Sequence, residues 1–506
     1  MNRFYSRIFF FFLLCFLCVH QTNAQLNRLG QDVQYRTQAM GTFSDGDFAP
    51  FWFSNNRYGL STIENNSGLL RVGVFRGIEA DCRRNWRVGY GVDLAVPLGM
   101  PSNFVLQQFY GDVQWKAIRL SVGQKERPLE LKNEHLSSGA ATTGINARPL
   151  PQVRLELPEF WIIPRTKDFL ALKGHVAYGW YTDNAWQRDF NAGNTTYVYS
   201  ANSLYHSKAA FLRVGNTKQF PLTFTGGFEM SAQFGGEAWN LLDRLDHQGA
   251  FDSHQKMGNG LKEYWHAFIP GGEDANDGDY KNCAGNQLGS WHVRFDYQGS
   301  NWSASLYGEH FFEDESQLFW QYGWKDMLLG AEVNLPSNPF VSTIVYEYLH
   351  TTDQSGSVYH DATETLPFQI SAVDEYYNHH IYGAWQHAGF VMGNPLLVSP
   401  IYNGNNRIMC FHNRVKAHHF GISGQPIKDL GYRVLFTHER SLGTYLTPVP
   451  DPLYGNFLLV EATYSPHSIQ GLSFTASYGQ NGGKLLGNSK GGMLSVAYSG
   501  WWNKNK

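Results

Sequence analysis

The sequence predicts an all-β protein, a transmembrane antiparallel β-barrel of about 18 strands with short helical segments in its loops. Aromatic residues make up 15% of the 506 residues and 52 are glycine, whereas only 16% are charged. Soluble proteins usually carry about a quarter charged residues. After the first 24 residues, no apolar run approaches the roughly 20 residues that a membrane helix needs. Short segments of alternating apolar and polar residues recur instead, as in strands with one face on lipid.

Residues 1–24 have the features of a secretory signal peptide. Arg3 and Arg7 precede an apolar stretch of secretory length, which is followed by small or compact residues up to Ala24. This order of charge, apolar core and small residues is read by the export machinery. We therefore expect cleavage after residue 24, leaving 25–506 as one exported barrel domain.

The alternation has a strict period of two, which places alternate side chains on opposite faces of a strand. In the segment 222–234, for example, the apolar residues Leu222 and Phe224 alternate with Thr223 and Thr225. Even strand counts are usual in single-chain bacterial barrels, so about 18 strands are preferred to about 16. The candidate strands are 31–41, 68–81, 86–97, 103–116, 117–125, 151–160, 168–182, 203–214, 220–235, 288–299, 301–312, 322–334, 341–351, 379–392, 408–422, 430–440, 455–465, 471–480 and 491–502.

The connections between candidate strands differ greatly in length. Short ones such as 297–301 predict tight turns on the periplasmic side. Two short helices are expected at 238–245 and 261–268, where apolar residues recur three and four positions apart. The long insertions, which should be extracellular or fold into the lumen, are 42–67, 126–150, 236–287 and 352–378.

An acidic strand end, Glu309–Ser316, is the first candidate for chemistry. It contains Glu313 and Asp314, and paired carboxylates can hydrolyse glycosidic bonds when they are held at the right separation. The alternatives are a charged strand end facing water and a hydrogen-bond network in the lumen. These alternatives are preferred to catalysis, so the protein is predicted not to be an enzyme.

Aromatic residues next to amides and carboxylates form the second candidate. Tyr377, Asn378, His379 and Trp385 resemble a carbohydrate site, because sugars stack on aromatic rings and hydrogen-bond at their edges. An aromatic girdle at the membrane interface explains the same residues equally well. Adjacent histidines on a strand point to opposite faces, so no metal site is predicted, and no cofactor motif is found. The net charge of −3 disfavours nucleic-acid binding.

The Gly-, Ser- and Pro-rich stretch 137–157 predicts a shaped loop with Arg148 as its only formal charge before position 152. This stretch and later motifs contain Ser137-Ser138-Gly139, Asn146-Ala147-Arg148-Pro149, Pro151-Gln152, Gly285-Asn286, Leu288-Gly289-Ser290, Phe312-Glu313-Asp314, Tyr377-Asn378-His379, Tyr382 and Gly389. With these residues the chain resembles the Wzi capsule-assembly family, in the style of its Bacteroidota branch. That resemblance implies an 18-stranded outer-membrane barrel with lectin-like affinity for capsular polysaccharide, which it attaches or organises at the cell surface.

The leading hypothesis is therefore an outer-membrane protein that binds exported polysaccharide, lies among outer-membrane lipid and lipopolysaccharide, and is monomeric. Arg148 either meets sugar or is pinned to a lumen carboxylate, and the pin is preferred. One disulfide among Cys82, Cys283 and Cys410 is as compatible with the spacing as free thiols. The residues expected to touch glycan or to shape the loops that do so are Asn146, Arg148, Glu313, Asp314, Tyr377, Asn378, His379 and Trp385.

Two alternatives belong to other functional classes: a glycan hydrolase based on Glu313–Glu315, and a porin or polysaccharide-conducting channel. A channel requires an open lumen. The sequence offers two kinds of obstruction, large inward side chains and the loops 126–150 and 236–287, which could act as plugs. The large inward residues are Arg71, Glu229, Arg433 and Glu439.

Overall fold

The computed structural model describes residues 28–100, 102–241, 254–270, 285–313, 325–354 and 375–504. Its main element is one sheet of 18 antiparallel strands. These strands are named β1 to β18 in chain order. They are Val33–Gly46, Asn66–Arg76, Trp86–Leu98, Val105–Trp115, Ile118–Gln124, Pro151–Ile162, Leu170–Trp180, Leu204–Val214, Leu222–Phe234, Asn286–Gln298, Ser303–Glu313, Met327–Asn334, Thr343–His350, Val415–Ile427, Leu430–Gly443, Pro448–Tyr464, Leu472–Gly483 and Ser489–Trp502.

The sheet closes on itself into a barrel. Each strand pairs with the next along the chain, and β1 pairs with β18 from Val33 opposite Trp502 to Gly46 opposite Ser489. Closure leaves no strand edge with unpaired backbone groups. The prediction of an antiparallel barrel with about 18 strands is confirmed.

Side chains alternate between the two faces of the wall as predicted. On β9, Leu222 and Phe224 are 40% and 37% exposed, whereas Thr223 and Thr225 are 7% and 1% exposed. The same contrast recurs on β3, where Val92 and Leu94 point outward and Asp93 is fully buried. An apolar outer face and a polar inner face are the arrangement that a barrel in lipid requires.

Short and long connections lie at opposite ends of the barrel. The end that carries both termini, called the termini end, has short connections such as 116–117 and 428–429. The opposite end, called the loop end, carries the long connections, among them 47–65, 125–150 and 351–414. The predicted grouping of the long insertions at one end is confirmed.

Short helices lie in the connections of the barrel. The α-helices are α1 (Phe51–Ser54), α2 (Asn184–Phe190) and α3 (Leu261–Phe268), and two 3₁₀ helices lie at Ile78–Asp81 and Pro400–Tyr402. Helix α3 confirms one of the two predicted helices. No described helix is long and apolar enough to cross a membrane.

The other predicted helix, 238–245, is wrong where the structure describes it. Glu237–Trp239 is a strand that pairs with Tyr199–Ala201 and with His254–Lys256 in a small three-stranded sheet at the loop end. Residues 242–245 lie outside the described residues. The helical spacing of apolar residues was misleading because Ala238 lies on a strand, where it is fully buried against Ile381 and Tyr382.

The candidate strand 379–392 is also wrong. This segment lies inside the barrel, where it forms two small hairpins, one between Asn378–His379 and Gly383–Ala384 and one between Gln386–His387 and Phe390–Val391. Trp385 is fully buried. A membrane strand has apolar residues at alternate positions, and a short segment buried on all sides can show a similar pattern. Periodicity alone therefore does not distinguish a membrane strand from a buried segment.

Candidate functional site

Three segments enter the lumen of the barrel from the loop end, 47–65, 125–150 and 375–414. The last two fill most of it and together are called the plug. Its side chains form one large buried apolar cluster with inward residues of the wall. Leu396 and Leu397 are fully buried and Leu136 is 1% exposed. The plug is therefore a packed core, held by the same burial of apolar surface that stabilises a soluble domain.

The first plug segment extends almost to the termini end. Arg294 on β10 donates from Nη1 to the carbonyl of Leu131 at 2.5 Å, and Arg433 on β15 donates to the carbonyl of His135 at 2.9 Å. Both arginines stand near the termini end of their strands. The plug thus occupies most of the length of the lumen.

Of the two loops expected to act as plugs, segment 125–150 enters the lumen as predicted, and the segment that packs with it is 375–414. Loop 236–287 is described only at 236–241, 254–270 and 285–287. Its described helix α3 lies at the rim, where the carbonyl of Tyr264 accepts a hydrogen bond from Tyr178 at 2.9 Å. The exposed Leu261 and Trp265 explain the difference, since this helix has little apolar surface to bury in the lumen.

A buried ion cluster holds the first plug segment to the wall. Lys132 Nζ lies 2.8 Å from Glu309 and 3.8 Å from Glu347, and all three side chains are at most 2% exposed. The free carboxylate oxygens are used as well. Glu309 Oε2 accepts from the amide of Ala141, and Glu347 Oε2 accepts from the amide of Ser138, each at 2.6 Å. Such buried charges are tolerated only when paired and hydrogen-bonded in this way.

The two plug segments are joined by aromatic side chains. Trp385 donates from Nε1 to the carbonyl of Thr142 at 2.9 Å. The Tyr377 hydroxyl donates to the carbonyl of Ala141 and accepts from the amide of Asn394. Burial raises the pKa of Tyr377 well above its ordinary value, so the hydroxyl stays protonated and keeps donating. Both predicted aromatic residues therefore lie between loops, away from the surface.

Asn146, Asn378 and Glu313 were predicted to contact glycan or to shape loops, and the structure gives them contacts that shape loops. Buried Asn146 accepts from the amide of Asn56 at 2.9 Å and donates to the carbonyl of Val391 at 3.0 Å. The side chain of Asn378 accepts from the backbone amide of Cys410 at 2.8 Å and donates to the carbonyl of the same residue at 3.1 Å. Glu313 accepts from the amide of Tyr377 at 2.7 Å.

Arg148 is held at the edge of the plug, but the predicted carboxylate partner is wrong. Its Nε donates to the carbonyl of Gly59 at 3.2 Å, and its Nη1 lies 3.5 Å from Ser102 Oγ. None of the described carboxylates forms a salt bridge with it. The backbone of Gly59 approaches so closely that a Cβ there would stand 2.6 Å from Arg148 Cγ, which is why a glycine faces the arginine.

His379 lies in the second plug segment and stacks on His380 with ring centroids 4.5 Å apart. Its Nδ1 accepts from the amide of Ile381 at 3.1 Å. Asp314 lies outside the described residues. Of the cysteines, Cys82 and Cys410 are free thiols, and Cys283 is also outside the described part of the chain. Burial raises the pKa of Cys410, so its thiol stays protonated.

A row of rings at the loop end, missed from the sequence, consists of Tyr199, Trp239 and His254 and is called the aromatic face. The register of the small three-stranded sheet places Trp239 opposite both other residues. The rings of Trp239 and His254 stack at 3.7 Å, and those of Tyr199 and Trp239 are nearly parallel at 6.2 Å. All three are half-buried, so each keeps part of its ring surface accessible.

Polar groups border the aromatic face. Glu237 accepts from His254 at 2.7 Å and from the side-chain amide of Asn202 at 3.3 Å. Arg407 lies 5.8 Å from the ring of Tyr197, two residues before Tyr199. Rings bordered by amide, carboxylate and guanidinium groups match the two sides of a sugar, which presents apolar C–H patches and hydroxyl edges. A tryptophan in an otherwise polar loop was the sequence signal that could have revealed this surface.

Asp326, just before β12, is the centre of a buried junction at the loop end. Its carboxylate accepts from the amides of Asp353 and Gln354 at 3.1 and 2.5 Å and from the Tyr376 hydroxyl at 3.0 Å. Ligand atoms of Asp326, His350 and Asp353 lie within 4.8 Å of one another, as a cation site would require. Because the oxygens of Asp326 already accept three hydrogen bonds, the cluster is explained as a junction between loops.

Asp326 should make stability fall as the pH rises. Burial raises its pKa to about 7 against the opposing effect of its hydrogen bonds. When folding raises the pKa of a carboxyl group, the group stabilises the fold fully at pH values below its unfolded-state pKa of about 4. This contribution is lost as the pH rises from that value through the folded-state pKa. We expect urea unfolding in detergent to show decreasing stability from pH 4 to about 7, and Asp326→Asn to reduce that slope. An unchanged slope in the variant would contradict the assignment.

No family model matches this chain, and no curated protein matches it in sequence. Among solved structures it is similar to Wzi, an outer-membrane protein involved in group 1 capsule assembly in Escherichia coli and a carbohydrate-binding β-barrel. The identity is 14% and the TM-score 0.56, over 94% of this chain and 86% of that one.

The predicted resemblance to Wzi is confirmed for the barrel fold by this similarity. Two further solved structures have lower TM-scores. OccAB4 of Acinetobacter baumannii has 9% identity and a TM-score of 0.44, over 94% of this chain and all of that one. OccK5 (OpdH) of Pseudomonas aeruginosa has 9% identity and a TM-score of 0.46, over 93% and 98%.

Proposed function

We propose that this protein is a non-enzymatic member of the Wzi family that lies in the outer membrane and binds exported capsular polysaccharide, anchoring or organising it at the cell surface. Residues 1–24 direct its export and are removed. The apolar outer face of the barrel lies in outer-membrane lipid and lipopolysaccharide, the protein acts as a monomer, and the loop end faces outward.

The aromatic face is the observation that carries this proposal. Three half-buried rings in a row, bordered by Glu237 and Asn202, offer a polymer both stacking surface and hydrogen-bond partners. The face belongs to a small sheet, so its geometry is fixed before a ligand arrives. The residues of the plug, including Asn146, Tyr377 and Trp385, support the loops from within.

The plug weighs against the channel alternative. A porin of this strand number leaves an aqueous lumen, whereas here both plug segments are packed into one buried core with the wall. We expect no stable large conductance steps from the purified protein in planar bilayers. Such steps would favour the channel and count against the proposal.

The described carboxylates give little support to the hydrolase alternative. Glu313 is buried and accepts a backbone hydrogen bond, and Glu309 and Glu347 are buried and share the ammonium group of Lys132. A hydrolase needs two carboxyl groups that reach the sugar from opposite sides. If purified protein shortened the polymer, and Glu313→Gln abolished that activity, the hydrolase alternative would replace the proposal.

Replacing Trp239 by alanine should weaken binding of the organism's own capsular polymer by about tenfold, which corresponds to about 1.4 kcal/mol of lost stacking. Surface plasmon resonance with detergent-purified protein measures this. Trp501→Ala is the matched control, because that tryptophan is 48% exposed at the opposite end of the barrel. Equal affinities for both variants and the unchanged protein would argue against the aromatic face as the binding surface.

The cellular test is deletion of the gene. Cells should still make the polymer but release it into the medium, since synthesis does not require the surface anchor. Expression of the Trp239→Ala variant should restore attachment only partly, whereas Trp501→Ala should restore it fully. Deletion cells with an unchanged capsule would refute the function.

A further inference from the structure

A cavity of about 90 Å³ lies inside the barrel between the first plug segment and the wall strands β6 to β9. At about 10–15 Å³ for each water molecule, this space holds several waters and leaves room for a small ligand in their place. The exposed residue Pro128 is part of its lining, so the cavity communicates with solvent. Its charged and polar lining residues are Lys125, Arg127, Glu130, Thr143, Arg148, Gln152, Arg154, His175 and Glu229.

The cations of this lining exceed the anions available to them. Lys125 pairs with Asp112 at 2.5 Å, and Arg154 pairs with Glu156 at 2.7 Å. Arg127 donates only to neutral oxygens, the carbonyl of Lys125 at 3.1 Å and Ser121 Oγ at 3.0 Å. Within the described chain, no carboxylate forms a salt bridge with Arg127.

Arg148, whose guanidinium donates to the Gly59 carbonyl and lies 3.5 Å from Ser102 Oγ, is the second such cation. Two guanidinium groups that form no salt bridge with a described carboxylate therefore line the same cavity. Partly buried cations of this kind are stabilised by an anion, and the planar guanidinium is well suited to a carboxylate.

The lining also contains buried acceptors without donors. Glu229 is 2% exposed, and its Oε1 is bonded by Thr143 while its Oε2 has no partner. Gln152 is 7% exposed, and its Oε1 has no partner either. Unsatisfied buried acceptors cost free energy, and a ligand that brings hydroxyl donors removes that cost.

We propose that this cavity binds a small carboxylate that also carries several hydroxyl groups, of the size of one acidic monosaccharide. Its carboxylate is held by Arg127 and Arg148, and its hydroxyls donate to Glu229 Oε2 and Gln152 Oε1. A plain anion satisfies only the guanidinium groups, and a neutral sugar satisfies only the acceptors. The site lies inside the barrel and is independent of the aromatic face.

Isothermal titration calorimetry on the detergent-purified full chain tests the proposal, with glucuronate as the probe. Glucose lacks the carboxylate and sulfate lacks the hydroxyls, so each should bind about tenfold or more weakly than glucuronate. An acidic tetrasaccharide distinguishes a free ligand from a polymer end, and it should bind no better than the monosaccharide. Glucose or sulfate binding as tightly as glucuronate, or a much tighter tetrasaccharide, would overturn the proposed ligand.

Two substitutions should weaken glucuronate binding through different groups of the ligand. Arg127→Gln should weaken it about tenfold or more, because it removes a charge-assisted contact. Glu229→Gln should weaken glucuronate binding without weakening sulfate binding, because it removes only an acceptor for the hydroxyls, and a misfolded protein would bind neither. Arg188→Gln, at an exposed site on α2, is the control and should have no effect.

Trp239→Ala should also leave glucuronate affinity unchanged, so a failed polymer-binding test and a failed cavity test are separate results. The cavity assignment is refuted if Arg127→Gln and Glu229→Gln both bind glucuronate like the unchanged protein. Native circular dichroism and slow electrophoretic migration without heating establish that each variant is folded.

Discussion

Replacing Lys132 by methionine is expected to destabilise the packed plug by about 3–5 kcal/mol, the usual cost of removing one partner from a buried ion cluster. Methionine has similar length, so the change leaves little empty space. It leaves Glu309 and Glu347 buried without their shared cation. Urea unfolding in detergent, together with hydrogen exchange of the amides of Ser138 and Ala141, measures the loss.

The double variant Lys132→Met with Glu309→Gln should recover part of that loss, since one of the two unpaired charges is then removed. Lys218→Met is the control, because that lysine is 84% exposed and its nearest carboxylate is 3.9 Å away. A surface ion pair of this kind contributes about 0–1 kcal/mol. If Lys132→Met were no more destabilising than Lys218→Met, the ion cluster would not hold the plug.

Replacing Trp385 by alanine is expected to cost about 3–5 kcal/mol, as for other large aromatic residues removed from a core. Its side chain is fully buried and joins the two plug segments through Thr142. A loss of about 3 kcal/mol raises the population of displaced plug roughly a hundredfold. Brief openings in planar bilayers should therefore appear in the variant and be absent from the unchanged protein.

Trp385→Phe separates packing from hydrogen bonding at this position. Phenylalanine fills most of the space but leaves the carbonyl of Thr142 without its donor, so we expect a smaller loss of about 1–3 kcal/mol. The barrel wall should keep its backbone hydrogen bonds in both variants, since its strands pair independently of the plug. A simultaneous loss of wall and plug in hydrogen exchange would show that the two do not unfold separately.

The wall of the barrel could be predicted from sequence because its physics is local. Residues such as Leu222 and Thr223 face lipid and lumen in turn, and this alternation needs no knowledge of distant residues. The failure at 379–392 marks the limit of that signal. An apolar residue is present at position 385 because the side chain is buried in the plug. The alternation of apolar residues in a short segment does not show whether they face lipid or a protein core.

The plug and the aromatic face depend on contacts that are distant in sequence, and these were predicted poorly. Arg148 was correctly expected to be fixed, but its partners are Gly59 and Ser102, which no local pattern indicates. The ion cluster joins Lys132 to two glutamates on later strands. Asn146 was recognised only because its loop has an unusual composition, and the three residues of the aromatic face were missed because their strands are separated by long connections.

The deep insertion of segment 125–150 also has a consequence for the order of assembly. The segment follows β5, yet its partners Glu309, Glu347 and Arg433 belong to strands formed much later in the chain. Contacts this far apart in sequence form slowly, because a long stretch of chain must be ordered first. The segment can therefore reach its final position only after β11, β13 and β15, which carry these partners, are in place.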